Sequence, residues 1–226
     1  MRMIRAFRLV LTTIALTVMA ACANPQVSTT QAIVDEAKDT VEALKKNPYS
    51  PTFSDTLKNA RGIVIFPNLY KAGFWVGAEG GNGVMLARDE QGNWGYPAFY
   101  TLASGSFGFQ IGAQRARSAL IIMRQGAIQA IVEHQAKLGA DIGLAVAHAG
   151  GGLEGSVTTN LGPDIVAFND AMGLYGGVSL EGGAMVRRDD YNQEYYGTAT
   201  EPGDIIFKRA RTNAAGDALR ASLLVP

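Results

Sequence analysis

The sequence predicts one α+β domain, built on a curved or closed, glycine-rich, mostly antiparallel sheet with flanking helices. Three observations carry this. Helical periodicity appears only at the start, in the middle and at the end of the folded region. Between these stretches run short β-branched and aromatic segments, punctuated by many of the chain's 27 glycines; in such a setting glycine marks bulges and tight turns. The 226 residues are 47% hydrophobic and 18% charged, an ordinary globular balance that can bury a core without disulfides.

Residues 1–21 read as a secretory signal. Arg2, Arg5 and Arg8 make a positive start with no acid, Leu9 to Val18 is apolar apart from threonines, and Ala20 and Ala21 are small. That is the order of a cleaved leader. The apolar run is shorter than the ~20 residues of a membrane span. The single cysteine, Cys22, follows at once. Met19-Ala-Ala-Cys22 resembles the bacterial lipobox, which implies cleavage before Cys22, thioether lipidation of its sulfur and acylation of its new amine. Two or more acyl chains anchor a protein stably. Ala23, where Asp would retain the protein at the inner membrane, implies the periplasmic face of the outer membrane. Residues 22–30 are then the lipidated cysteine and a polar tether, and 31–226 the domain.

Within the domain, 31–46 is helical by period: Ile33, Val34, Ala37, Val41 and Leu44 form one stripe, with Thr30 as N-cap and Asn47-Pro48 as the stop. That stripe either lies on a bilayer or docks on the domain; the excess of acid on the polar face favours docking. A short helix is expected over 53–60, capped near Ser54. Gly62 to Pro67 is a continuous apolar run, hence a buried strand. Short strands are expected within 73–88 and 94–123, a helix over 126–138 ending at Gly139, and strands at 141–148, 164–169, 173–187 and 203–207. A helix over 212–224, with Ala215, Ala218, Leu219 and Leu223 inward, closes the chain. Residues 73–89 and 173–189 align without a gap, sharing Gly73/Gly173, Gly77/Gly177, Gly83/Gly183, Met85/Met185, Arg88/Arg188 and Asp89/Asp189. Each copy reads as a glycine hairpin.

Charge narrows the function. The chain has 20 basic and 20 acidic side chains. Three arginines and no acid leave with the leader, so the mature chain is net acidic, the wrong sign for a nucleic-acid binder. An anionic partner therefore needs a local cluster. Arg115, Arg117 and Arg124 flank the apolar stretch 118–123; at period two, Arg115 and Arg117 share a strand face and can present two guanidiniums to one phosphate, or form a solvated, salt-bridged face. Lys208, Arg209 and Arg211 make a second cluster, which can equally pair with surface acids. Trp94, Tyr96, Phe99, Tyr100, Phe107 and Phe109 read as core more readily than as a membrane-wetting surface. Enzyme signatures fail: Gly105-Ser106-Phe107-Gly108 lacks the spacing of a nucleophile elbow, and Gly77 to Gly83 lacks the helix and Lys of a phosphate loop. His134 and His148 stand apart in sequence, and no second cysteine exists to build a metal cluster. No cofactor is expected.

Taken in order, Gly62-Ile-Val-Ile-Phe-Pro67, Lys71-Ala-Gly-Phe74, Gly80-Gly-Asn-Gly-Val84, Trp94-Gly-Tyr-Pro-Ala-Phe-Tyr100, Gly105-Ser-Phe-Gly-Phe-Gln-Ile-Gly112, Leu138-Gly-Ala-Asp141, the stretch Gly173 to Gly182 and Asn192-Gln-Glu-Tyr-Tyr-Gly197 resemble the SYLF domain. That module occurs in bacterial lipoproteins and in eukaryotic membrane-trafficking and actin-patch proteins. The resemblance implies binding of acidic lipids, phosphoinositides in the eukaryotic members, through an amino-terminal amphipathic segment and basic residues. Here these correspond to 31–46 and to Lys71, beside the Arg115, Arg117 and Arg124 read from the charge pattern. Ala167-Phe-Asn-Asp-Ala-Met172 stands where many members have a Ser-Tyr-Ser-type stretch ending in Lys. The actin role is not carried over to an exported chain. The expectation is a lipoprotein binding acidic phospholipid without catalysis; the alternative is a structural or protein-interaction role in the envelope.

Overall fold

Ser28 opens the first helix, its Oγ accepting the Gln31 backbone N–H at 3.2 Å, the N-cap arrangement that satisfies one of the unpaired amides of the first turn. In the computed structural model, which describes residues 28–73, 76–107, 112–134, 138, 141–147, 153–156, 163–172 and 182–226, helix α1 spans Thr29–Lys46. Thr30 is thus not the cap. It is fully buried in the first turn, and its hydroxyl donates to Glu194 at 3.2 Å. The leader, Cys22 and the start of the tether lie outside the described residues. No described helix is long and apolar enough to cross a membrane.

Helix α2, Phe53–Lys58, follows; Thr52 rather than Ser54 occupies the cap position, without a side-chain cap bond. Strands β1 (Gly62–Gly73), β2 (Val76–Ala87), β3 (Ala98–Phe107) and β4 (Gly112–Ile122) come next. Then come α3 (Gln125–His134), β5 (Leu144–Ala147), β6 (Leu153–Ser156), β7 (Ile165–Met172) and β8 (Ala184–Arg187). Helices α4 (Asp189–Tyr196) and α5 (Pro202–Ile206), a 3-10 turn at Ala214–Gly216 and α6 (Asp217–Ser222) complete the chain. All eight strands form one curled sheet in the order β6-β5-β7-β4-β1-β2-β3-β8, antiparallel except for β5 beside β7. The expected α+β domain is thus what forms.

Both faces of this sheet are buried. Alternate residues of β1 to β4 (Val64, Phe66, Met85, Tyr100, Leu120) join Ile128, Ile131 and Val132 of α3 and Ile205 and Ile206 of α5. The intervening residues (Ile63, Ile65, Val84, Phe99, Ile121) join the α1 stripe, Phe53 and Leu57 of α2, and Leu219 of α6. The α1 stripe therefore docks on the domain instead of facing outward. Each such Val, Leu or Ile is worth roughly 1.5–3 kcal/mol on burial, which holds the helix more firmly than its own propensity does. Trp94, Phe99 and Tyr100 are core. Phe109 and His148, like Gly139, lie outside the described residues, as do the side chains of Phe107 and His134.

The stretch Gly77 to Gly83 is not a turn. It runs inside β2, paired with β3 from Val76–Phe107 to Met85–Ala98. Its glycines answer to β1, whose register shifts between Ile65 and Tyr70. Pro67 sits in that bulge, where a central strand can lack an N–H. A Cβ on Gly81 would run into the Asn68 carbonyl oxygen, and one on Gly83 into that of Ile65. The second repeat lies mostly outside the described residues. Its surviving part is informative: Met85 pairs with Ala98 and Met185 with Leu102, so the two copies flank β3 on either side.

Three further expectations are corrected. The stretch 203–207 is helical at α5, because Pro202 starts a helix readily and Ile205 and Ile206 need only a one-turn stripe. Residues 189–196, to which the sequence pattern assigns no element, form α4, with Gly197 in the left-handed conformation (φ 71°) that ends helices. The last helix is shorter than 212–224, and Ala215 and Ala218 face outward; Leu219 and Leu223 are buried as expected.

Candidate anion-binding site

The cations singled out from the sequence do not converge. Arg115 and Arg117 do share a face of β4, the one beneath α1. Arg115 Nε donates to Asn68 Oδ1 at 2.5 Å, and Asn68 Nδ2 in turn donates to Glu36 Oε2 at 2.5 Å, on α1. Arg117 pairs with its cross-strand neighbour Asp170 at 2.7 Å, the salt-bridged arrangement. Lys71 lies on the opposite face, across from Glu79. Arg124 is at the far end of β4, paired with Asp164 at 3.0 Å. Ten residues of β1 separate Lys71 from the end near Arg124, about 30 Å at the usual rise, too far for one headgroup.

Glu79 is itself unusual. It is 6% exposed, and its Oε1 has no hydrogen-bond partner. Burial pushes its carboxyl up to about 7, against the opposing pull of Lys71. The folded chain thus holds the proton where the unfolded chain releases it, so this group's contribution is greatest below about pH 4.5 and is lost as the pH rises toward 7. The Glu79→Gln variant should melt like the parent at the acid end and increasingly above it across that window. Melting curves in parallel buffers check this, and a pH-independent gap would refute it.

Arg124 belongs instead to a second arrangement, at the end of the sheet where β1 begins. Arg61 precedes β1 and Arg88 follows β2, one step beyond the Gly62–Ala87 pair, with the Arg88 N–H donating to the Arg61 carbonyl at 2.8 Å. The Arg61 N–H donates to Ile122 at the end of β4, two residues before Arg124, at 2.8 Å. Three adjacent strand ends thus each carry an arginine. Arg209, after α5, supplies the fourth. Together with Asp89, Glu90, Gln91, Gln125 and Phe207 they line a cleft of about 790 Å³. The amino end of α3 opens at Gln125, adding the positive pole of a helix.

The four arginines are held differently. Arg209 is committed to the scaffold: it pairs with Asp89 at 3.2 Å and donates to the carbonyls of Ala87 at 3.2 Å and Asn93 at 2.8 Å. These anchors hold its backbone at φ 50°, a left-handed conformation that a non-glycine residue adopts only at some cost. Asp89, although desolvation pushes it upward, is held below the usual carboxylate range by Asn93 and Arg209. Arg88 lies over the Trp94 ring at 4.5 Å and donates to the Lys58 carbonyl at 2.8 Å, while its Nε is shut off from solvent without an acceptor. Desolvation, and then the nearby Arg61 charge, lower its pKa. Arg61 is exposed. Of the second sequence cluster, only Arg209 reaches the cleft: Lys208 pairs with Asp204 at 2.8 Å, and Arg211 donates to Thr200 at 2.9 Å.

The cleft can hold an anion: it is concave, rich in guanidinium and edged by a helix amino end. Sequence reasoning missed Arg61 and Arg88 as a pair. The available signal was their position, one just before the Gly62 strand and the other just after the next strand, which any β1–β2 hairpin brings side by side. Among the described residues, no group of three or more His, Cys, Asp or Glu side chains could hold a metal ion.

Comparison with known proteins gives these observations a context. Residues 103–224 match the family model described as "Ysc84: Las17-binding protein actin regulator". The chain is 32% identical over 152 residues to the human SH3 domain-containing YSC84-like protein 1, covering 67% of this chain and 44% of that protein. It is 29% identical over 168 residues to LAS seventeen-binding protein 3 of Saccharomyces cerevisiae, covering 73% of this chain and 36% of that one. The chain therefore matches less than half the length of these relatives.

Proposed function

The chain belongs to the Ysc84 (SYLF) family, and from that premise we propose that it is a lipid-anchored, non-catalytic module that binds phosphate-bearing lipids at a membrane surface. The family is one of binding and regulatory domains. The observation that carries the lipid reading is the arginine cleft at the strand ends. The acyl anchor on Cys22, at the periplasmic face of the outer membrane, would keep the domain within reach of acidic headgroups. Restricted to that surface, a modest headgroup affinity suffices, because the tether raises the effective concentration.

Two measurements test this. The intact mass of the chain isolated from bacterial membranes should show cleavage before Cys22 and added acyl chains, both lost in Cys22→Ser. The full chain in neutral-detergent micelles should bind when the micelles are doped with an acidic phospholipid and not with a zwitterionic one, more weakly as salt rises. Replacing Arg61, Arg88 and Arg124 together with glutamine should weaken binding by about tenfold or more, the loss expected for charge-assisted phosphate contacts. Equal indifference to every lipid would remove the lipid reading.

A second reading, a protein-interaction module, is favoured by the description of the family as Las17-binding. It predicts a protein captured by the chain whether or not the arginines of the cleft are intact.

A further inference from the structure

We propose that the cleft selects a doubly charged phosphate monoester over a singly charged phosphodiester, and that Arg61 and Arg88 make the selection. This rests on the cleft being an anion site and names the class of anion.

Of the four guanidiniums, two already have a carboxylate: Asp164 for Arg124 and Asp89 for Arg209. Arg61 and Arg88 stand directly opposite each other across the β1–β2 ladder, and no ion pair joins either of them to an acid among the described residues. Like charges directly opposite in an antiparallel pair destabilise the sheet. A ligand carrying two negative charges cancels that repulsion; one carrying a single charge leaves half of it. Arg88 is also held in place. Its ring stack and its bond to Lys58 fix the guanidinium, and because Nε is shut off from solvent, the terminal nitrogens are the donors it can turn to a ligand. A monoester offers three terminal oxygens to such donors, whereas a diester offers two. The planar fork of arginine matches phosphate in two-point fashion, so the pair can grip two edges of one tetrahedron.

The charge of the ligand gives the test its leverage. The second proton of a phosphate monoester leaves near pH 6, while a diester has none to lose. The charged groups that line the cleft beside the pair are Asp89 and Glu90 after β2, Arg124 before α3, itself paired with Asp164, and Arg209 after α5. The arginines stay charged throughout, and the diester arm controls for titration of the acids.

The experiment uses the full chain in neutral-detergent micelles doped with phosphatidic acid or with phosphatidylglycerol, and separately with free glycerol 3-phosphate. At about pH 8 the phosphatidic acid micelles should bind about tenfold more tightly, and near pH 5, with the monoester reprotonated, the two should converge. Arg61→Gln, at an exposed position, should erase the preference without lowering the melting temperature, since it removes one of two opposed like charges. Arg88→Lys, which keeps the charge and loses the fork, should weaken the preference too. Equal affinity for the two lipids at the higher pH, or a preference that survives Arg61→Gln, overturns the inference and leaves the anion-site reading standing. Failure of all three ligands to bind removes that reading as well. Free glycerol 3-phosphate binding as tightly as the lipid keeps the monoester preference and shows the ligand to be a soluble phosphate, which overturns the membrane reading alone.

Discussion

Gly83→Ala should destabilise the protein by about 3 kcal/mol or more, the upper end of the overpacking range, and so remove much of the 5–15 kcal/mol or so that holds a domain folded. The added methyl would overlap the backbone carbonyl of Ile65 and approach Phe66 Cδ1 to 2.5 Å. Neither can move freely. Ile65 is fully buried and paired with both β2 and β4, and Phe66 is fully buried in the core beneath α3. Relief would require shifting the bulge of β1, which the neighbouring strands follow. Gly105→Ala is the control. It lies on β3 with nothing within 4 Å of an added Cβ, so it should change stability by only a few tenths of a kcal/mol. Urea midpoints of the two variants settle the matter, and a Gly83→Ala protein as stable as Gly105→Ala would refute the close-approach argument.

Phe168→Ala should cost about 3–5 kcal/mol, the usual range for a buried phenylalanine emptied to a cavity. Phe168 on β7 meets Phe53 on α2 edge-to-face, with centroids 5.2 Å apart and planes at 87°, and the two are 1% and 0% exposed. The pair joins segments more than a hundred residues apart, so its loss loosens α2 from the sheet as well as removing contact area. Phe168→Leu fills most of the space and should recover much of the loss. A denaturation series that placed alanine and leucine at equal stability would show that the site collapses around the smaller side chain.

The parts of the fold that were legible share one property: their pattern was local. The α1 stripe repeats at helical spacing and buries as that spacing requires; Gly62 to Pro67 reads as a strand because nothing polar interrupts it. What misled was glycine with two possible meanings. In Gly80-Gly-Asn-Gly83 a turn and a crowded strand look alike, and only the bulge of β1, a tertiary fact, selects the second. The α4 segment escaped notice because its buried face is only Asn192 and Tyr195, with the Asn192 carboxamide accepting the Phe99 N–H at 2.9 Å. The site was partly legible for the same reason. Arg124 stood out as a charge beside an apolar strand; Arg61 and Arg88 became a pair only once β1 and β2 were laid side by side.

The order of strands in the sheet also bears on where this unit can be cut. The family match begins at residue 103, partway along β3. Strands β1 and β2 come before it in sequence, yet they occupy the middle of the sheet, between β4 and β3. A fragment trimmed to the matched segment would lose its two central strands together with α1 and α2, which cover one face with α6, and with them Arg61 and Arg88. A piece that keeps these strands is therefore wider than the recognisable signature, and one that also keeps the cap of α1 begins at or before Ser28.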